Sequence, residues 1–91
     1  MNAKQRKILT AIFADPVIRS LAWSDVENLL IALGAVIKEG NGSRVRISLN
    51  GINAVFHRPH PNPELKVYVV KKMRVFLMGA GVEPEIGRAH V

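Results

Sequence analysis

The sequence predicts an α+β fold, in which helices cover one face of a three-stranded antiparallel sheet. Three observations predict it. Residues 23–34 and residues 64–79 each carry apolar side chains at helical spacing. Between them, Asn50-Gly51 separates two runs of alternating apolar and polar residues, which is typical of a β-hairpin. With one more short strand before the hairpin, the order of elements is α-β-β-β-α, and an extra helix precedes it.

The composition indicates one small domain with an excess of basic residues. The chain has 91 residues, a formal net charge of +6 and no cysteine, which excludes disulfides, thiol nucleophiles and cysteine metal sites. No apolar run is long enough for a signal peptide or a membrane span, so we expect a soluble cytoplasmic protein. Between Lys38 and Arg74, eight basic residues stand against only Glu39 and Glu64. This excess fits a polyanionic partner, and it equally fits the charge that a soluble protein needs.

The first predicted helix covers Lys4 to Phe13, where Ile8, Leu9, Ile12 and Phe13 form an apolar stripe. Asp15-Pro16 is expected to end it, because a residue before proline disfavours helical backbone. A linker then continues to Ala22. We therefore divide the chain into an N-terminal helix and linker (residues 1–22), an α-β-β-β-α domain (residues 23–84) and a flexible tail (residues 85–91).

The second helix is predicted from its end signals. Ser24 with Glu27 three residues later fits a capping box, and Gly34 fits the position that follows a helix C-terminus. A short strand from Ala35 to Glu39 follows, and the stretch "GNGS" is predicted to turn the chain.

The hairpin can be predicted with its register, because a two-residue turn fixes which residues face each other. Three apolar pairs then share one face, which is expected to meet the helices: Leu49 with Ile52, Ile47 with Ala54, and Val45 with Phe56. The opposite face pairs Ser48 with Asn53, Arg46 with Val55, and Arg44 with His57. It contains no acidic residue, and we expect it to stay in water.

After the hairpin, "RPHPNP" is predicted to be a stiff connector, because three of its six residues are prolines. The last helix is expected over residues 64–79, with Val69, Val70, Met73, Phe76 and Leu77 towards the core. Its outer side carries Tyr68, Lys71, Val75 and Met78. Two interpretations remain open for Val75 and Met78, either packing against the N-terminal helix or an exposed strip that binds a protein partner.

Three stretches, "GSRVRISLNG", "VFHRPHP" and "FLMGAGVEP", resemble the HicA toxin family in their order and spacing. The resemblance runs from about Trp23 to Pro84. It implies a small bacterial toxin that cleaves mRNA, a HicB-type antitoxin as its partner, and a fold like the double-stranded-RNA-binding domain. Many family members carry a histidine, taken as catalytic, shortly after a Gly-Ser pair. Here Arg44 follows Gly42-Ser43, while the family's His-Pro element is present as His60-Pro61.

RNA cleavage without a metal needs a group that accepts the proton of the 2′-hydroxyl, a group that protonates the leaving oxygen, and a cation near the phosphate. Histidine suits the proton transfers and arginine suits the phosphate. We therefore expect His60, with His57 as its rival, to transfer protons and Arg44 to stabilise the phosphate. The residues expected to bind RNA are Ser43, Arg44, Arg46, Arg58, Lys66 and Lys71. No metal and no small-molecule cofactor is expected, because no carboxylate accompanies the two histidines in sequence.

Simpler interpretations of the same residues remain open. His57 and His60 could be exposed strand-end and loop residues, and the arginines could belong to an ordinary solvated strand face. The alternative functions are an RNA-binding module that has lost catalysis, because the usual histidine is absent, and an adaptor that binds only an antitoxin.

Overall fold

The computed structural model describes residues 1–17, 20–60 and 62–84. Within these ranges lie three helices and three strands, in the order α1 (Ala3–Phe13), α2 (Trp23–Ala32), β1 (Val36–Glu39), β2 (Arg44–Leu49), β3 (Ile52–His57) and α3 (Val67–Gly79). The predicted α+β class and the α-β-β-β-α order are therefore confirmed. The predicted flexible tail lies outside the described residues, as do Pro61 and part of the predicted linker.

The strands form one antiparallel sheet in the order β1-β2-β3. The register of the hairpin is the one predicted from Asn50-Gly51, including the pair of Arg44 with His57. Both turn residues have positive φ, 51° for Asn50 and 82° for Gly51, as a type I′ turn requires. The Asn50 side-chain amide also donates to the Ala80 carbonyl at 2.8 Å, which fixes the tip of the hairpin to the end of α3.

The core lies between the sheet and the helices. We call the face of the sheet that carries Val45, Ile47, Leu49 and Phe56 the inner face, and all four residues are buried. Phe56 contacts rings from two helices, Trp23 at 6.2 Å and Phe76 at 6.0 Å between ring centroids. An aromatic cluster therefore joins β3 to both α2 and α3.

The predicted capping box of the second helix is wrong. The helix begins two residues earlier than predicted, with Ala22 rather than Ser24 at the N-cap position and no side-chain cap. Trp23 is already helical, and its indole N–H donates to the Glu27 carboxylate at 2.6 Å. Glu27 thus contacts Trp23 and Arg58 rather than the backbone at Ser24. Gly34, by contrast, follows the helix with φ of 97°, as predicted.

The last helix begins at Val67 rather than at Glu64. Residues 64 and 65 instead pair with the segment before α2, since Glu64 forms a bridge with Ala22 and the Leu65 N–H donates to the Leu21 carbonyl at 2.8 Å. This pairing holds residues 64 and 65 in extended backbone, so that the helix cannot start there.

Helix α1 packs across α2 and α3, and its Ile8, Leu9 and Ile12 are part of the same core. The Arg74 guanidinium secures its C-terminal end by donating to the carbonyls of Ile12 (3.0 Å) and Ala14 (2.8 Å). Val75 and Met78 do not bury against α1, since they are 68% and 61% exposed. Of the two interpretations for these side chains, packing on the N-terminal helix is therefore wrong. Within the described ranges, the helices are too short or too polar to cross a membrane.

Candidate nucleic-acid interface

The side of the sheet opposite the helices carries a group of cations. We call it the outer face. It consists of Val36, Lys38, Arg44, Arg46, Ser48, Asn53, Val55 and His57. None of these residues is acidic. Lys38 faces Arg46 across β1 and β2, and Arg44 faces His57 across β2 and β3. All three strands therefore contribute a basic or histidine side chain to one surface.

Arg44 and His57 are close because of the backbone pattern. The Arg58 N–H donates to the Ser43 carbonyl at 2.9 Å, which extends the ladder one step beyond the pair. Directly opposed residues of an antiparallel sheet have Cβ atoms about 5 Å apart. Both side chains are exposed. Within the part of the chain that the structure describes, neither Arg44 nor Arg46 forms an ion pair, so their charge is available to an anion.

Beyond the strand end, His57 also lines an open groove of about 460 Å³. We call it the connector groove. The polar and aromatic side chains that line it are His57, Arg58, His60, Asn62, Glu64, Lys66 and Tyr68. Lys38, Arg44 and Arg46 line a separate depression of about 380 Å³ on the outer face, and Glu39, which is not an outer-face residue, also lines it. His57 thus stands where the cationic strand face meets the groove that contains the second histidine.

The connector that carries His60 is anchored at its C-terminal end, at Pro63 and Leu65. The Trp23 N–H donates to the Pro63 carbonyl at 3.0 Å, and the Leu65 N–H donates to the Leu21 carbonyl at 2.8 Å. Leu21 and Leu65 are buried, at 1% and 9% exposure. The segment before α2 was expected to be a linker, but its last residues fix one wall of the connector groove.

Arg58 differs from the other predicted RNA-binding residues because its partners are carboxylates. It forms ion pairs with Glu27 at 3.1 Å and with Glu39 at 2.5 Å, and its side chain is only 29% exposed. The hydrogen bonds that Arg58 donates raise its own pKa, the one to Glu39 more than the one to Glu27, and the bond to Glu39 lowers the pKa of Glu39. Arg58 therefore joins α2, β1 and the end of β3 on the helix side of the sheet.

The remaining predicted residues lie apart from the two depressions. Lys71 is an exposed residue of α3, and Ser43 is an exposed residue beside β2 that accepts a backbone hydrogen bond. Neither lines the connector groove or the outer-face depression. Lys72 is engaged elsewhere, since its ammonium lies 4.6 Å from the centroid of the Phe56 ring and donates to the Val55 carbonyl.

Two residues that were not predicted as site residues also belong to the candidate interface, one on the outer face and one in the connector groove. Lys38 belongs to the outer face, and extending the hairpin register to the alternation of β1 could have placed it there. Tyr68 belongs to the connector groove, and no pattern in the sequence brings it beside the histidines. Among residues 1–17, 20–60 and 62–84, no three histidine or carboxylate side chains converge as metal ligands.

Comparison with known proteins gives one family match. The model of the family described as HicA toxin of bacterial toxin–antitoxin matches residues 23–82, which include α2, the whole sheet and α3. No match was found among curated proteins or solved structures. The resemblance seen in the three sequence stretches is therefore confirmed, and α1 lies outside the matched region.

Proposed function

Since the chain belongs to the HicA toxin family, we propose that it is the toxin of a bacterial toxin–antitoxin pair and that it binds and cleaves mRNA. The observation that carries the proposal is the pairing of Arg44 with His57 on a face without carboxylates. The same histidine lines a groove with His60. A phosphate bound by Arg44 would thus lie beside His57, at the edge of the groove that contains the second group able to transfer protons.

The proposed reaction uses the ribose 2′-hydroxyl as the nucleophile. Its oxygen attacks the adjacent phosphorus, the bond from phosphorus to the 5′-oxygen breaks, and a 2′,3′-cyclic phosphate and a 5′-hydroxyl remain. His60, with His57 as its rival for either step, accepts the 2′-hydroxyl proton and returns a proton to the leaving oxygen. Arg44 stabilises the charge that gathers on the phosphate oxygens. The reaction as written needs no metal ion, because histidine transfers the protons and Arg44 stabilises the charge on the phosphate.

RNA binding is assigned chiefly to the unpaired cations. Arg44, Arg46 and Lys38 would contact phosphates along the outer face, and Lys66 would extend the track into the connector groove. Ser43 and Lys71 remain candidates at the margins. Arg58 is reassigned to holding the fold together, because both of its carboxylate partners would compete with a phosphate.

A HicB-type antitoxin would neutralise the toxin by covering this surface, and both proteins would act in the bacterial cytoplasm, where mRNA is translated. The exposed side chains of Val75 and Met78 on α3 are a second surface that such a protein could cover.

The proposal is tested by incubating the purified chain with labelled mRNA in EDTA. Wild-type protein is compared with His57→Ala and His60→Ala, and with His90→Ala as a control at the third histidine of the sequence. We expect cleavage in EDTA by wild type and His90→Ala, and a loss of about 100-fold or more in at least one of the other variants. Cleavage that stops in EDTA, or that survives in both variants, would contradict the assignment.

A second candidate function is RNA binding without cleavage, and the observation that favours it is Arg44 at the place of the usual family histidine. Intact mRNA at protein concentrations that clearly bind it would support this alternative. The Arg44→His variant distinguishes the two functions. If the missing histidine is the only reason why the chain does not cleave RNA, a histidine at position 44 should produce cleavage. A chain that neither binds nor cleaves RNA would instead fit the adaptor that binds only an antitoxin.

A further inference from the structure

Tyr68 is the one aromatic side chain among the described residues that is largely exposed. It is 69% exposed, whereas Trp23, Phe56 and Phe76 are each at most 5% exposed, and Phe13 is partly buried against the core. Tyr68 stands in the first turn of α3, two residues after Lys66, and lines the connector groove with His57 and His60. The ring therefore borders the site proposed for chemistry.

The Tyr68 ring has no partner in the part of the fold that the structure describes. Tyr68 has no hydrogen bond and no ring contact there, and it is not part of the core cluster. Exposed aromatic rings that alternate with cations are the arrangement by which proteins hold single-stranded nucleic acid, because every base has a flat face that can stack on the ring. Here the cation is Lys66, on the same groove wall.

We propose that the connector groove binds one unpaired nucleobase, which stacks on Tyr68 while Lys66 contacts a neighbouring phosphate. This inference rests on the proposed function, since it gives the same site its preference for single-stranded RNA. The groove volume of about 460 Å³ lies within the range of small-ligand sites, about 300–1,000 Å³, so that a base and its ribose fit. A duplex cannot use the ring, because its bases are already stacked on each other and removing one costs free energy.

A protein partner could also use an exposed tyrosine, since Val75 and Met78 continue the exposed apolar side chains along α3. The neighbours of Tyr68 favour the nucleobase. It shares its groove with two histidines, a lysine, an arginine and one carboxylate, so that basic and histidine side chains outnumber the acidic one, whereas Met78 lines a different groove, with Phe13. Val75 lines neither of these two grooves.

The test uses a single-stranded 2′-O-methyl oligoribonucleotide that contains one 2-aminopurine, because this RNA cannot be cut through its 2′-hydroxyl. Stacking on an aromatic ring quenches the 2-aminopurine fluorescence. Wild type is compared with Tyr68→Ala, with Tyr68→Phe, which keeps a ring, and with Val75→Ala. Val75 is the matched control, since it lies on the same helix and is 68% exposed. The same variants are also titrated with a duplex of the same sequence.

We expect Tyr68→Ala to lose the quenching and to bind the single strand about 10-fold more weakly or worse, with duplex binding unchanged. Tyr68→Phe and Val75→Ala should behave as wild type. Wild-type affinity for the single strand in Tyr68→Ala, or an equal loss for the duplex, would overturn the stacking site and leave the proposed function standing. Absence of any RNA binding by wild type would overturn both.

Discussion

Arg44 and Arg58 lie at the ends of neighbouring strands, yet their surroundings are opposite. Arg58 is on the helix side of the sheet and contacts the carboxylates of Glu27 and Glu39. Arg44 is on the outer face, opposite His57, and none of the residues of that face is acidic. The difference shows that the side of the sheet, rather than the residue type, decides whether an arginine stabilises the fold or is available to a ligand.

The physical reason is the cost of removing charge from water. An arginine that is partly enclosed between a helix and a sheet needs carboxylate partners, because leaving its charge desolvated and unpaired is unfavourable. An arginine on an open sheet face stays hydrated and needs no partner. A protein that binds polyanions can therefore collect unpaired cations on such a face without destabilising its core.

The largest effect on stability should come from removing a large buried side chain from the inner face. Phe56→Ala removes the ring between Trp23 and Phe76 and should lower the free energy of unfolding by about 3–5 kcal/mol, measured by urea denaturation. Val55→Ala is the matched control, since Val55 is the adjacent residue but belongs to the outer face. A similar loss in both variants would contradict the division of the sheet into a core face and a solvent face.

The next effect concerns the two arginines themselves. Arg58→Ala removes ion pairs to α2 and β1, and because these groups are partly exposed we expect a loss of about 1–2 kcal/mol in the free energy of unfolding. Arg44→Ala should change that free energy by no more than about 0.5 kcal/mol. Thermal and urea unfolding of both variants would measure this contrast, and equal destabilisation would refute it.

The smallest expected effect is the pH dependence of the stability that the pair of Arg58 with Glu39 contributes. The hydrogen bond from Arg58 lowers the pKa of Glu39, so at acidic pH the unfolded chain binds a proton more readily than the folded chain. The stability contributed by this pair is therefore present at neutral pH and is lost as the pH falls through the lowered pKa.

Glu39→Gln should remove this part of the acid sensitivity. We expect its urea midpoint to fall less between neutral and acidic pH than the wild-type midpoint does. An unchanged difference between neutral and acidic midpoints would show that Glu39 does not contribute.

The hairpin could be predicted in detail from the sequence, because Asn50-Gly51 fixes a register that every following pair inherits. The partners of Arg58 could not be predicted, since Glu27 and Glu39 come from segments far apart in the chain. The error at Ser24 has this origin in part, because Glu27 contacts the distant Arg58, and also the nearby Trp23, instead of capping the helix. The start of α3 was misplaced because its preceding residues pair with Leu21 and Ala22, a long-range contact without a local signal.

RNA phosphates are proposed to bind Lys38, Arg44 and Arg46 on the outer face and not Arg58, which is paired with Glu27 and Glu39. The most direct test is the dependence of single-stranded RNA affinity on salt concentration, measured for wild type, Arg44→Ala and Arg58→Ala with the uncleavable oligonucleotide. Each phosphate contact on a single strand contributes about 0.7 to the slope of log affinity against log salt concentration. We expect Arg44→Ala to reduce the slope by about this amount and Arg58→Ala to leave it unchanged. A reduced slope in Arg58→Ala, with no change in Arg44→Ala, would show that Arg58 contacts the RNA and that Arg44 does not.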